Sequence, residues 1–363
     1  MRLLTSWRRI RATMALLAVL LLTAACGSVV KTDDDGTITL RIAHYMPTSH
    51  YLVKNGIEVW MKEVEKRTGG KVKFDYYPAG QLVSAEEMLS SIQSGVVQIG
   101  TFVPASTASA ELPLTDVLTV PGFQPSSTAV LYDAYWDVLK NDLYEEEWRE
   151  AGLRPVSGMP TGRYQFIING APRHRLDDWS GHTIRSVGGV MDFVVQELGS
   201  ASVNIPGPEE YEALQRGTID SAVNTLESIV PYKFNEVIQS ATTNVPIGAS
   251  LTVMAINQEA FDQLPANVQQ AMDEASEVSM KSAAEATTAQ LANGIEKTKE
   301  DVDYYELTDE ELADLQPALL RAQERWIAQR EKNGDAGQRI VDAWRDALQK
   351  AEEKAKAPKA ANK

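Results

Sequence analysis

Twice along the chain, runs with the two-residue period of a β-strand alternate with runs at helical spacing, and this alternation limits the fold more than any other feature. Thr37 to Ala43 (TITLRIA) is β-branched and alternating, and Leu52 to Arg67 then places Ile57, Trp60, Met61 and Val64 at helical spacing. Gly69 and Gly70 end that helix, and Lys71 to Tyr76 resumes as a strand. A helix over Glu86 to Gln93, stopped by Gly95, leads to a third strand over Val96 to Phe102. A β-α-β-α-β series of this kind predicts a mostly parallel sheet with helices on its faces.

After a helical stretch rich in Tyr and Trp, Ala129 to Trp148, a second round begins. Gly152 to Val156, Tyr164 to Ile168 and Thr183 to Val187 read as strands, Met191 to Leu198 and Pro208 to Arg216 as helices, and Ile219 to Asn224 as a further strand. Two similar α/β units in one chain imply two lobes with a cleft between them. Beyond a strand over Thr252 to Asn257, Pro265 to about Asp301 reads as one Ala-rich helix, and Asp309 to about Lys350 as one or two more. A helix of about 30 residues runs roughly 45 Å, long enough to lie across both lobes. The expected division is lobe 1 over residues 37–160 plus about 246–285, and lobe 2 over 161–245 plus about 286–348.

The two ends read differently. Arg8, Arg9 and Arg11 precede an apolar run from Ala15 to Leu22, followed by Thr23-Ala24-Ala25-Cys26-Gly27, which has the layout of a secretory signal over residues 1–25. The run is less than half of the roughly 20 residues that a membrane-spanning helix needs. Cys26 is the only cysteine, so it forms no internal disulfide. Its surroundings resemble a lipobox, which implies that Cys26 becomes the acylated first residue and the anchor to the membrane; two or more acyl chains hold firmly where one does not. Residues 26–36, including Lys31 to Gly36 (KTDDDG), read as a solvated tether, since Gly36 comes too early for a calcium loop and the closing glutamate is missing. Residues 349–363 are small and charged and are expected to be disordered.

The whole chain carries a net charge of −15; removal of the signal takes away four arginines and no acids, leaving 31 basic against 50 acidic residues, or −19. Such a charge repels nucleic acid and anionic lipid as partners. An anionic ligand would have to be held by locally placed positive charge.

Three blocks resemble one family. The first is Leu40-Arg41-Ile42-Ala43-His44, followed by Val64 to Gly70 (VEKRTGG) and Tyr77-Pro78-Ala79-Gly80-Gln81-Leu82. The second is Ile92 to Gly100 (IQSGVVQIG). The third runs from Trp179-Ser180-Gly181-His182-Thr183-Ile184-Arg185 through Glu210 to Asp220 (EYEALQRGTID) to Tyr232 to Val237 (YKFNEV). In this order, over about 300 residues, they are similar to the TRAP transporter solute receptors, the group named for its C4-dicarboxylate-binding members. The resemblance implies an α/β, two-lobed periplasmic-binding-protein-like fold, a small organic acid as ligand, integral-membrane TRAP subunits as partners, and transport driven by an ion gradient. A monomer is expected, with no cofactor and no metal.

The resemblance also implies site residues. Arg185 matches the arginine that grips the ligand carboxylate, and a guanidinium offers two parallel donors to two carboxylate oxygens. A second ligand position falls on Arg163 or on its neighbour Tyr164. Asn224 matches a pocket asparagine, whose amide can serve a carboxylate or a hydroxyl. On the other lobe Tyr45, Glu86 and Ser106 lie on segments that follow or flank strands, where open α/β sheets bind ligands, and Tyr211 is a further candidate. His44 reads as a structural histidine. Enzyme signatures are missing: the chain has no HExxH, no GxSxG and no Gly-rich phosphate loop, and its four histidines show no metal-ligand spacing. The expected mechanism is capture by closure of the lobes on the acid and delivery to the permease; a two-lobed receptor serving an ATP-driven importer, or a ligand sensor, is the alternative.

Overall fold

The computed structural model describes residues 30–357. The expected signal over 1–25, the anchor Cys26 and residues 358–363 lie outside the described residues.

The first lobe begins with a hairpin. β1 (Lys31–Thr32) pairs antiparallel with β2 (Ile38–Ala43), and Gly36 supplies the left-handed turn residue at φ 80°. The Asp33 amide bonds the Thr37 carbonyl at 2.8 Å, and Asp35 accepts from the Thr37 amide at 2.9 Å. Residues 31–36, expected as part of a tether, are therefore the solvated start of the sheet. β2 runs parallel to both β3 (Val72–Tyr77) and β4 (Ile99–Phe102). Between β2 and β3 a wide turn over Val53–Ile57 leads into α1 (Glu58–Arg67), which buries Trp60 and Val64. Lys66 and Arg67 complement its carboxyl end, and Gly69 and Gly70 stop it with φ of 60° and 77°. α2 (Met88–Gln93) connects β3 to β4.

α3 (Thr128–Val138) continues in a wider coil to Trp148 and delivers the chain to β5 (Leu153–Ile168), sixteen residues long. Sequence patterning divides this stretch into strands over 152–156 and 164–168, with Gly158, Pro160 and Gly162 lying between them. The structure instead tolerates Pro155 and Pro160 where the partner strand slips. β10 (Ala249–Asn257) pairs antiparallel with residues 153–163, and its register shifts at Ser250/Leu251 and Met254/Ala255, beside the partners of Pro160 and Pro155. Proline lacks the amide a regular ladder needs, so irregularities are where a strand admits it.

Residues 164–168 of β5 belong to the second lobe. There they pair antiparallel with β8 (Ser221–Thr225) and, at 167–168, with β9 (Ser240–Thr242). β6 (Thr183–Ser186) runs parallel to β7 (Ala201–Asn204) and to β8, and β11 (Asp303–Tyr305) runs parallel to β9. Both sheets thus combine parallel and antiparallel pairs. The strands joined through helices are parallel, as the alternation demands, while β5 and β10, which bridge the lobes, run against their neighbours. α4 (Val190–Glu197) and α5 (Gly207–Gln215) complete the second α/β round.

α6 (Ala266–Thr298) is the long helix, 33 residues, or roughly 50 Å at 1.5 Å per residue. Near its start the Met272 carbonyl accepts from Trp60 of α1 at 3.3 Å; near its end Gln290 donates to the Glu227 carbonyl of the second lobe at 3.4 Å. α7 (Asp309–Asn333) packs on α4, with Arg321 and Arg325 each 2.7 Å from Glu197. α8 (Gly337–Lys356) turns back onto the first lobe, burying Ile340, Val341, Trp344, Ala347 and Ala351 in the same core as Val130, Leu131 and Ala134 of α3. Two expectations are corrected here. Residues 337–348 pack with the first lobe, and residues 349–356 are ordered helix, because small alanines let its last turns lie against α3 and Lys354 meets Asp133 at 2.7 Å.

Candidate functional site

The carboxyl ends of β2 and β4 in one lobe face those of β6 and β8 in the other. A cavity of about 70 Å³ lies between them, lined from the first lobe by Tyr45, Met46, His50 and Ser106 and from the second by Arg185, Val187, Asn224 and Tyr232. The bridging strands supply Thr161 and Tyr164 from β5 and Ser250 and Thr252 from β10.

Arg185, near the end of β6, is 4% exposed. Its Nε donates to the Ile205 carbonyl at 2.8 Å and its Nη1 to the Val223 carbonyl at 2.7 Å. Nη1 also lies 3.4 Å from the carboxylate of Glu210, which is fully buried on α5. The guanidinium is therefore fixed in place before any ligand arrives, with Nη2 left without a partner among the described residues. Its two-pronged face is only partly available, which narrows the expected bidentate grip.

Asn224 is bound into the same cluster. Its Oδ1 accepts from the Thr225 amide at 2.7 Å, and its Nδ2 donates to Glu210 Oε2 at 2.7 Å. Glu210 Oε1 has no partner among the described residues. Burial pushes the Glu210 carboxyl above its ordinary pKa, while Arg185 and the Asn224 bond pull it back. One buried cation and one buried anion thus stand together at the cavity wall.

The tyrosines of the site remain neutral. Burial pushes Tyr164 up to about 12, against the opposing effects of a bond to Ser250 and of Arg185. Tyr45 is raised by burial, partly offset by its bond to Thr252 and by Arg185.

Arg185, Asn224, Tyr45 and Ser106 all line the cavity. Three expected residues do not. Arg163 is exposed on the outer side, because consecutive strand residues point to opposite faces and Tyr164 takes the inward position. Glu86 is exposed, and its neighbour Ala85 reaches the cavity instead. Tyr211 lies on the outside of α5, its hydroxyl donating to Glu236 at 2.8 Å. His44 is buried with Nε2 2.7 Å from the Tyr76 hydroxyl, and burial lowers its pKa to about 4.

Sequence patterning missed His50 and Tyr232. The His50 ring stacks on Tyr51 at 4.6 Å and meets Tyr232 edge-on at 5.8 Å, so the pair joins the two lobes beside the cavity. Its Nδ1 accepts from the Leu52 amide at 3.2 Å, which puts the ring proton on Nε2. Burial lowers its pKa to about 3, so it serves as a neutral donor. A further missed feature is Gly188-Gly189. Both have positive φ, 85° and 58°, and a Cβ on either would collide with the other lobe, at the Ala105 carbonyl and the Asp116 carboxylate respectively. Asn204 Nδ2 donates to the Ser106 carbonyl at 3.2 Å across the same seam. The lobes therefore meet around the cavity.

Among the described residues no group of three or more His, Cys, Asp or Glu could hold a metal ion, and no helix is long and apolar enough to cross a membrane.

Residues 42–329 match the model of the bacterial extracellular solute-binding proteins, family 7. A solute-binding protein from Albidiferax ferrireducens is 27% identical over 241 residues, covering 63% of this chain and 68% of its own length. The C4-dicarboxylate-binding periplasmic protein DctP of Rhodobacter capsulatus is 27% identical over 265 residues, 69% of this chain and 74% of its own. The crystal structure of a TRAP solute-binding protein from Rhodoferax ferrireducens, in complex with copurified benzoate, superposes with a TM-score of 0.79 at 21% identity, covering 88% of this chain and all of that one.

Proposed function

We propose a ligand and a mode of capture for this chain from the premise that it belongs to the bacterial extracellular solute-binding proteins, family 7. It is the extracytoplasmic receptor of a TRAP-type transporter, a binding protein in a family of receptors rather than enzymes. A small organic acid enters the interlobe cleft, and its carboxylate bonds Arg185 at Nη2. Asn224, Tyr45, Tyr164, Ser106 and the Nε2–H of His50 orient the remainder of the ligand. One observation carries this reading: a guanidinium held rigid by Ile205, Val223 and Glu210 presents its one uncommitted nitrogen at the wall of a cavity where the lobes meet.

Closure suits that arrangement. Excluding water lowers the local dielectric and strengthens the contact between guanidinium and carboxylate. The loaded receptor then hands the acid to the membrane subunits. We place Cys26 as the lipid-bearing first residue of the exported protein, which works as a monomer and does no chemistry on its ligand. The benzoate in the Rhodoferax ferrireducens protein and the C4-dicarboxylates named for the Rhodobacter capsulatus protein support small organic acids as the class to screen.

Thermal-shift screening of an organic-acid library tests the reading. A ligand at 100 times its dissociation constant stabilises the folded protein by about 2.7 kcal/mol. No stabilisation by any acid would refute it.

A further inference from the structure

Among the described residues lining the cleft, Arg185 is the one side chain that carries a formal charge; His50 is neutral, its pKa lowered to about 3 by burial. Glu210 stands behind the guanidinium at 3.4 Å, fully buried, so the pair together contributes little net charge. A single ligand carboxylate on Nη2 uses the one positive group the cavity offers. The rest of the lining is neutral: Met46, Val103 and Val187 supply aliphatic surface, Tyr45 and Tyr164 aromatic surface with hydroxyls. With Arg163 on the outer side, no second cation among the described residues reaches the cavity.

We propose that the cleft takes an acid with one carboxylate on an apolar or aromatic body, and turns away the dicarboxylate of the same skeleton. The inference rests on the organic-acid receptor reading and narrows it. A second buried carboxylate loses its hydration and meets only neutral groups, with no cation to offset that cost. The surplus of acidic over basic residues, a net −15 for the chain, adds repulsion. Hydroxyl substituents are admitted, because Ser106, Ser250 and Thr252 at the lining offer both donors and acceptors.

The test is calorimetric titration of the exported protein at neutral pH with matched acids: benzoate, terephthalate and monomethyl terephthalate, then butyrate, succinate and monomethyl succinate. Each half-ester is at least as long as its diacid and carries a single charge. The expected result is that at least one monoacid and its half-ester bind, with the diacid weaker by roughly 100-fold or more, as the burial of an unpaired charge requires. A diacid that binds as tightly as its half-ester overturns the proposal and leaves the receptor reading standing. A half-ester as weak as its diacid also overturns it, since length rather than charge would then do the excluding. Binding by none of the six overturns the single-carboxylate proposal, and the receptor reading falls only if the wider acid library also fails.

Discussion

Glu210→Gln separates two opposing contributions of the buried ion pair. In the free protein Glu210 compensates Arg185 across 3.4 Å and accepts from Asn224 at 2.7 Å. Gln has the same shape and still accepts from Asn224, but it leaves the guanidinium without its counter-charge. Breaking a buried pair by removing one partner costs about 3–5 kcal/mol. Binding responds in the opposite direction. A ligand carboxylate bonded to Nη2 would sit about 6 Å from the Glu210 carboxylate, and at an effective dielectric of about 20 two such charges repel by roughly 3 kcal/mol. Removing that repulsion should tighten the monocarboxylate by about 10- to 100-fold, the upper figure corresponding to roughly 2.7 kcal/mol. Urea denaturation of the ligand-free protein should therefore show a loss of stability, while calorimetry on the same variant shows a gain in affinity. Unchanged affinity would refute the reasoning, because it would mean that Glu210 carries no charge felt by the ligand. Weakened affinity would refute it too, by making Glu210 an orienting group rather than a competing anion.

Arg185→Ala should lower affinity by at least about 100-fold and also destabilise the free protein, since Glu210 is left buried and unpaired; calorimetry and urea melts read the two effects separately. Arg163→Ala, by contrast, should leave affinity within about twofold, because its side chain lies outside the cavity. Gly188→Ala should weaken binding by roughly tenfold or more by wedging the seam at the Ala105 carbonyl and straining a φ of 85°, with small-angle scattering reporting a more open particle. Burial raises the Glu227 carboxyl from 4.5 to about 8, so the folded state holds its proton more tightly than the unfolded chain. Stability from this group is present in full below pH 4.5 and lost as pH rises through about 8, and Glu227→Gln should flatten that part of the Tm profile.

Periodicity carried the outline of the molecule well. The strand-helix alternation over 37–102 and 183–224 appears as β2-α1-β3-α2-β4 and β6-α4-β7-α5-β8, with only the short β7 unread, because four residues of Ala-Ser-Val-Asn show little alternation. The Ala-rich stretch after Pro265 is one helix, and the apolar spacing after Asp309 is two. Errors fell where residue type and tertiary context disagree. Pro160, between Gly158 and Gly162, looks like a break between strands until β10 slips in register beside it. Residues 349–356 look too polar to fold, yet Ala351 needs only one small apolar face to pack on α3.

At the site the division is sharper. From the sequence, the order of elements implied a cleft beyond the strand ends, and only the resemblance to the TRAP receptors pointed to Arg185 near the end of β6 and Asn224 in β8 as residues that stand there. Tertiary structure decided the rest. Whether Arg163 or Tyr164 points inward depends on a one-residue register that the sequence leaves open; in the folded chain Tyr164 is buried at the cavity wall and Arg163 is exposed. Glu210 and Arg185 lie 25 residues apart on different elements, and only the packing of α5 against β6 and β8 brings them together. That contact makes the positive group of the cleft half of a neutral pair, because the strength of a charge depends on what is buried beside it.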